Sequence, residues 1–182
     1  MRKAGYLLGL AFLVVGFLCV LPTLQAANEP VPDSPEVTEL LMKAKAHALQ
    51  LRDDADLMHK FSLMSLSWES HASQITTIKD HVNNLGKVLE QMNDRHKLSS
   101  PWQQAAIDRV TPLARELASN IETTIDHINK NQNRLHTPQY KEYLTANFEV
   151  SSSLSELISD YVEYGKYKAN YEKLEERLEV AD

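Results

Sequence analysis

Histidine has the widest chemical repertoire of the side chains in this sequence, because it ligates metals, holds haem iron and moves protons near neutral pH. Seven are present, at His47, His59, His71, His81, His96, His127 and His136. Their spacing fits none of the usual metal sites. A di-metal carboxylate bundle needs Glu-x-x-His pairs projecting inward. No glutamate here has a histidine three residues later, and Asp56-Leu57-Met58-His59 is the nearest approach, in a single copy. No two histidines stand four apart, so the zincin spacing is absent as well. Haem held between helices needs His or Met ligands facing each other across a core. His71, His96, Met58 and Met92 lie on or near apolar stripes, but the stretch from Pro138 to Asp182 holds neither residue type. Neither a metal nor haem nor another cofactor is expected.

Acid–base chemistry fares no better. Asp80-His81 and Asp126-His127 are sequence neighbours, and neighbours on a helix point about 100° apart and do not meet. Asn120, His127 and Asn131 share one helical face, either as a polar layer of a pocket or as a solvated flank, and the solvated flank is the expectation. Trp68, His71, His81 and His127 are the candidates for lining any pocket between helices. No catalytic residue is assigned. The only cysteine is Cys19, inside an N-terminal apolar run, so a chain that loses that run has no thiol nucleophile, Cys-ligated zinc or disulfide. The same loss leaves two glycines, Gly86 and Gly165, too few for the phosphate-cradling loops and nucleophile elbows that need close backbone approach.

Tyrosine gives the clearest binding signal. Six of the seven lie between Tyr140 and Tyr171. Tyr161, Tyr164, Tyr167 and Tyr171 follow at steps of three, three and four, which spreads their rings over about 120° of a helix, wider than one core stripe. Tyr143, Tyr161 and Tyr164 are expected in the core. Tyr167 and Tyr171, with Leu174 and Leu178 after them, are expected at an interface, where a tyrosine offers apolar area with a polar tip.

Those residues need helices to position them. Ser34-Pro35, Ser100-Pro101 and Thr137-Pro138 each place a capping hydroxyl before a proline at the first helical position, and Ser100 with Gln103 fits a capping box. Val37, Leu41, Ala44, Ala48, Leu51, Ala55 and Met58 form one buried stripe, and Trp68, His71, Ile75, Ile78, Val82, Leu85, Leu89 and Met92 a second. A third runs Ile107, Val110, Leu113, Leu117, Ile121, Ile125 or Thr124, Ile128 and Leu135, with a kink expected at Pro112. The fourth holds Leu144, Phe148, Val150, Leu154, Leu157, Ile158 and Val162 and ends in a charged tail able to pair as a coiled coil. Helices are predicted near 35–65, 68–97, 101–135 and 138–179, with a break at Ser65 to Ser67. The fold class is all-α, an antiparallel up-down four-helix bundle.

The N-terminus carries a different message. Arg2 and Lys3 precede an apolar run from Tyr6 to Leu21, and Pro22-Thr23-Leu24-Gln25-Ala26-Ala27 follows it, the layout of a secretory signal peptide. The chain is thus read as a signal peptide at 1–27, an extended linker at 28–34 and a helical bundle domain at 35–182, exported to the periplasm or secreted. An uncleaved leader would instead be a membrane anchor, and only then is membrane contact expected. Losing Arg2 and Lys3 takes the net charge from −6 to −8, a surface that disfavours nucleic acid.

Ser67-Trp68-Glu69-Ser70-His71, Lys79-Asp80-His81-Val82-Asn83, Ser100-Pro101-Trp102-Gln103-Gln104 and Asp160-Tyr161-Val162-Glu163-Tyr164-Gly165 resemble stretches of uncharacterised exported all-helical proteins of acidobacterial type. That resemblance implies export from a Gram-negative cell and an all-helical fold, and transfers no functional residue. The chain also resembles the four-helix haem cytochromes in export and size, but they take a ligand from their last helix and this chain offers none there. The expected function is that of an exported, non-catalytic helical bundle that binds a partner protein, or itself by weak self-association, through its final helix. The competing reading is a periplasmic carrier of a small molecule or cofactor, haem or metal, in a pocket between helices.

Overall fold

A computed structural model describes residues 31–179. The leader assigned to 1–27, and with it Cys19, lies outside the described residues, as do residues 28–30 of the linker and the last three residues.

Four helices make the fold: α1 (Pro35–Phe61), α2 (Trp68–Asp94), α3 (Pro101–Lys130) and α4 (Pro138–Glu179), with a 3₁₀ turn at His96–Leu98. Three of the four starts have a local capping bond. Ser34 Oγ accepts from the Val37 N–H at 3.3 Å, Gln103 Oε1 accepts from the Ser100 N–H at 3.2 Å, and Thr137 Oγ1 accepts from the Tyr140 N–H at 3.4 Å. Ser67 stands at the N-cap of α2, as its position before Trp68 suggests, but makes no side-chain capping bond. Pro112 lies inside α3 on the exposed face, with Asp108 exposed one turn before it. Water can serve the carbonyl that the proline leaves without its N–H, and α3 continues through the site.

Three ends are shorter than the periodicity suggests, and α2 stops at Asp94 rather than 97, where the chain tightens into the 3₁₀ turn at His96–Leu98. α1 stops at Phe61 rather than 65, where the Ser62 N–H turns back onto the His59 and Lys60 carbonyls. α3 stops at Lys130 rather than 135, because Asn131 caps it and its Nδ2 donates to the His127 carbonyl at 3.1 Å. Leu135 packs against the core from the α3–α4 connection.

The helices pack in ring order, α1 on α2 and α4, α3 on α2 and α4. Pairs such as His59 with Phe148 and Lys45 with Glu163 fix α1 and α4 antiparallel. Asn147 with Thr124 and Tyr161 with Arg109 do the same for α3 and α4. All seven expected positions of α1 are buried. In α4 the stripe reads Tyr140, Leu144, Asn147, Ser151, Leu154, Ser155, Ile158 and Val162. Tyr164, expected in the core, is half exposed instead, because it lies about 130° around α4 from that stripe and meets Trp102 only edge-on. Among the described residues no helix is long and apolar enough to cross a membrane.

Candidate functional site

At the end of the bundle where α1 passes to α2 and α3 to α4, histidine and aromatic rings form one connected cluster. Phe61 meets His71 edge-on at 5.4 Å, His71 meets Tyr140 edge-on at 5.4 Å, and His127 stacks on Tyr140 at 5.2 Å. Tyr143 closes the chain edge-on to His127 at 5.5 Å, and His59 stacks on Phe148 beside it at 5.6 Å. The start of α4 places Tyr140 here. The proline that opens the helix fixes its first turn, and Tyr140 falls one turn ahead of Leu144 on the same stripe.

Tyr140 is fully buried and its hydroxyl lies 2.8 Å from His71 Nδ1. Burial pushes the Tyr140 hydroxyl well above its ordinary range and the His71 imidazole below its own, so both are neutral at pH 7. The arrangement that satisfies both has the hydroxyl donating to Nδ1 and the imidazole proton on Nε2. His71 also forms part of the wall of a cleft of ≈ 460 Å³ between the two connections, with Leu66, Asn133 and His136. Two neutral groups committed to each other make a sound core contact and a poor acid–base pair.

The four pocket candidates do not share a cavity. His71 lines the cleft; His127 lies behind it against Tyr140, with its Nε2 buried and without a hydrogen-bond partner among the described residues. His81 sits further along α2, its Nε2 3.3 Å from Asp54 Oδ2, while Gln74 donates to Asp54 Oδ1 at 3.1 Å. Trp68 is partly buried at the first residue of α2 and is not among the cleft-lining residues. Of the Asn120, His127 and Asn131 face, Asn131 is the helix cap and His127 is an aromatic contact, so it is neither a polar pocket layer nor a plain solvated flank. Among the described residues no group of three or more His, Cys, Asp or Glu is placed to hold a metal ion.

The opposite end is held by contacts to the linker. Asp33 accepts from Trp102 Nε1 at 2.7 Å and from Lys168 Nζ at 3.0 Å, and Lys168 also pairs with Glu172. Burial alone would raise the Asp33 carboxyl; hydrogen bonds from Ser100, Lys168 and Trp102 outweigh it and hold the group below its ordinary value. Gln103 ties the next residue on both sides, accepting from the Ser34 N–H at 2.8 Å and donating to the Ser34 carbonyl at 2.9 Å. The linker, expected as an extended segment outside the core, is anchored at Asp33 and Ser34. The missed signal was Trp102 and Gln103 beside a capping serine, three groups that need polar partners when buried.

From this anchored end α4 continues alone. Every residue from Asn170 to Glu179 is exposed, a length of about 15 Å. Tyr164, Tyr167, Tyr171, Leu174 and Leu178 are 50, 73, 62, 51 and 65% exposed. Their steps of three, four, three and four make a heptad seam. At 100° per residue its centre lies roughly 170° around α4 from the buried stripe, so the seam points away from the core, with Tyr164 touching the bundle edge-on at Trp102. The expected interface residues Tyr167, Tyr171, Leu174 and Leu178 are thus together on one open face. Tyr164 extends it by one position.

No protein-family model, curated protein or solved structure matches the chain.

Proposed function

We propose that this chain is an exported, non-catalytic helical bundle that acts by binding a protein partner, or itself, through the outer face of α4. The observation that carries the reading is the exposed heptad seam from Tyr164 to Leu178 on the face opposite the core. Five large apolar side chains in one line are costly to leave in water, and tyrosine is a residue type enriched where proteins meet. Export is supported by Arg2 and Lys3 ahead of the Tyr6 to Leu21 run and by the small residues Ala26 and Ala27 after it. In this reading the leader is removed and the bundle works in the periplasm or outside the cell. The likeness to exported acidobacterial helical proteins points the same way. The carrier reading is the weaker one, because Trp68, His71, His81 and His127 line no common cavity among the described residues.

A photo-activated amino acid at Tyr167, set against the same group at Lys79 on the exposed face of α2, tests the reading in producing cells. A cross-linked species of higher mass is expected from position 167 alone. Cross-linking at neither position, or equally at both, would remove the outer face of α4 as a binding surface.

A further inference from the structure

We infer that the partner of the α4 seam is a second copy of this chain, bound antiparallel, with Tyr171 and Leu174 at the centre of the pair; this rests on the reading of α4 as a docking surface. Three features on the same helix carry it.

The first is steric. Because the seam faces away from the bundle, a second α4 can lie along it while each bundle stays on its own outer side, and neither blocks the other. The seam runs about 21 Å from Tyr164 to Leu178, and from Asn170 onward no other described residue packs against α4.

The second is what lies before the seam. The outward face of α4 alongside the bundle carries Glu142, Glu149, Glu156 and Asp160, all exposed. A parallel pair would bring this acidic ridge against its own copy, residue on residue, and like charges so placed repel. An antiparallel pair overlaps only along the seam, and each acidic ridge continues past the end of the other helix. Asp160 occupies the next position of the heptad line, so it ends the seam where the ridge begins.

The third is register. Antiparallel helices set one heptad position against the other, which places Tyr171 against Leu174 and Tyr167 against Leu178, each twice by symmetry. The four central layers then each join a tyrosine to a leucine instead of stacking like on like, and Tyr164 falls outside them at either end. The same register brings Lys168 beside Glu175 of the second copy, a charge match on the flank of the seam. A seam of two heptads is short, so the pair is a weak one that forms in the micromolar range, with a Kd of about 1–100 μM.

Cysteine placement tests both the partner and its direction, using the chain from Asn28 onward, which holds every described residue of the bundle and no cysteine. A disulfide needs its two Cα atoms within about 7 Å. Under mild oxidation the double variant Tyr167→Cys/Leu178→Cys is expected to form a covalent dimer, while Tyr167→Cys alone and Leu178→Cys alone stay uncoupled. Coupling of either single variant with itself would mean a parallel pair and overturn the proposal. So would failure of the double variant to couple, or a wild-type chain that sediments as a monomer up to about 1 mM, tenfold above the top of the Kd range expected for two heptads. If that monomer is found while Tyr167 still cross-links in cells to a different protein, self-pairing fails and the docking surface stands.

Discussion

At the scale of single residues, the Tyr140–His71 contact sets how the bundle responds to acid. The His71 imidazole is held below its ordinary pKa by burial, so the unfolded chain takes up a proton there more readily than the folded one. The associated stability is complete above the unfolded value of about 6.5 and is lost as pH falls from there through the lower folded value. Asparagine at position 71 can still accept from the Tyr140 hydroxyl but does not titrate. Denaturant unfolding of wild type and His71→Asn between pH 8 and 4.5 should therefore give different slopes of stability against pH, the variant flatter below pH 6.5. Equal slopes would mean that another group carries the acid response. The cluster itself was only partly legible in the sequence. His71 falls on the α2 stripe and His127 on α3, but nothing in their spacing puts both rings on Tyr140. That meeting depends on how far α4 is slid along α3, which the helix periods leave open.

At the scale of elements, the sequence specifies where helices start better than where they end. A serine or threonine before proline is a local instruction, and α1, α3 and α4 obey it. Their C-terminal ends depend on which connection packs back, as Leu135 does, and that is a tertiary matter. The buried face of α4 was harder to read because Asn147, Ser151 and Ser155 stand in the core line. They look solvent-facing by composition. Asn147 is admitted by its Nδ2 donating to Thr124 Oγ1 at 2.9 Å, and Ser151 by donating to the Phe148 carbonyl at 2.9 Å. The two glycines outside the leader give an opposed pair of tests. A methyl at Gly165 would sit 2.8 Å from the far edge of the Trp102 ring, which Asp33 holds through Nε1, whereas at Gly86 nothing lies within 4 Å. Gly86→Ala should stabilise by about 0.5–1 kcal/mol through helix propensity. Gly165→Ala should lose that gain to overpacking and come out destabilised by about 1 kcal/mol. Thermal melts of the two variants, moving in opposite directions, would establish that Trp102 packs α3 against α4 at this point.

At the scale of the whole molecule, the bundle and the tail are separate devices on one chain. The core is complete by Val162, and the anchored linker and the α4 tail leave from the same end of the bundle, joined through Asp33 and Lys168. Tethering the linker to that end would leave the tail reaching outward beside it, with the histidine–tyrosine end of the bundle farthest away. A tail that serves association and not folding can be removed without loss of stability. The decisive comparison is sedimentation equilibrium of the chain from Asn28 to Asp182 against one ending at Lys168, each also melted at low concentration. Equal melting temperatures are expected, with a longer chain whose average mass climbs towards that of a dimer across micromolar concentrations and a shorter chain that stays monomeric throughout. Monomeric behaviour of both chains, or a bundle that melts lower without its tail, would rule that division of roles out.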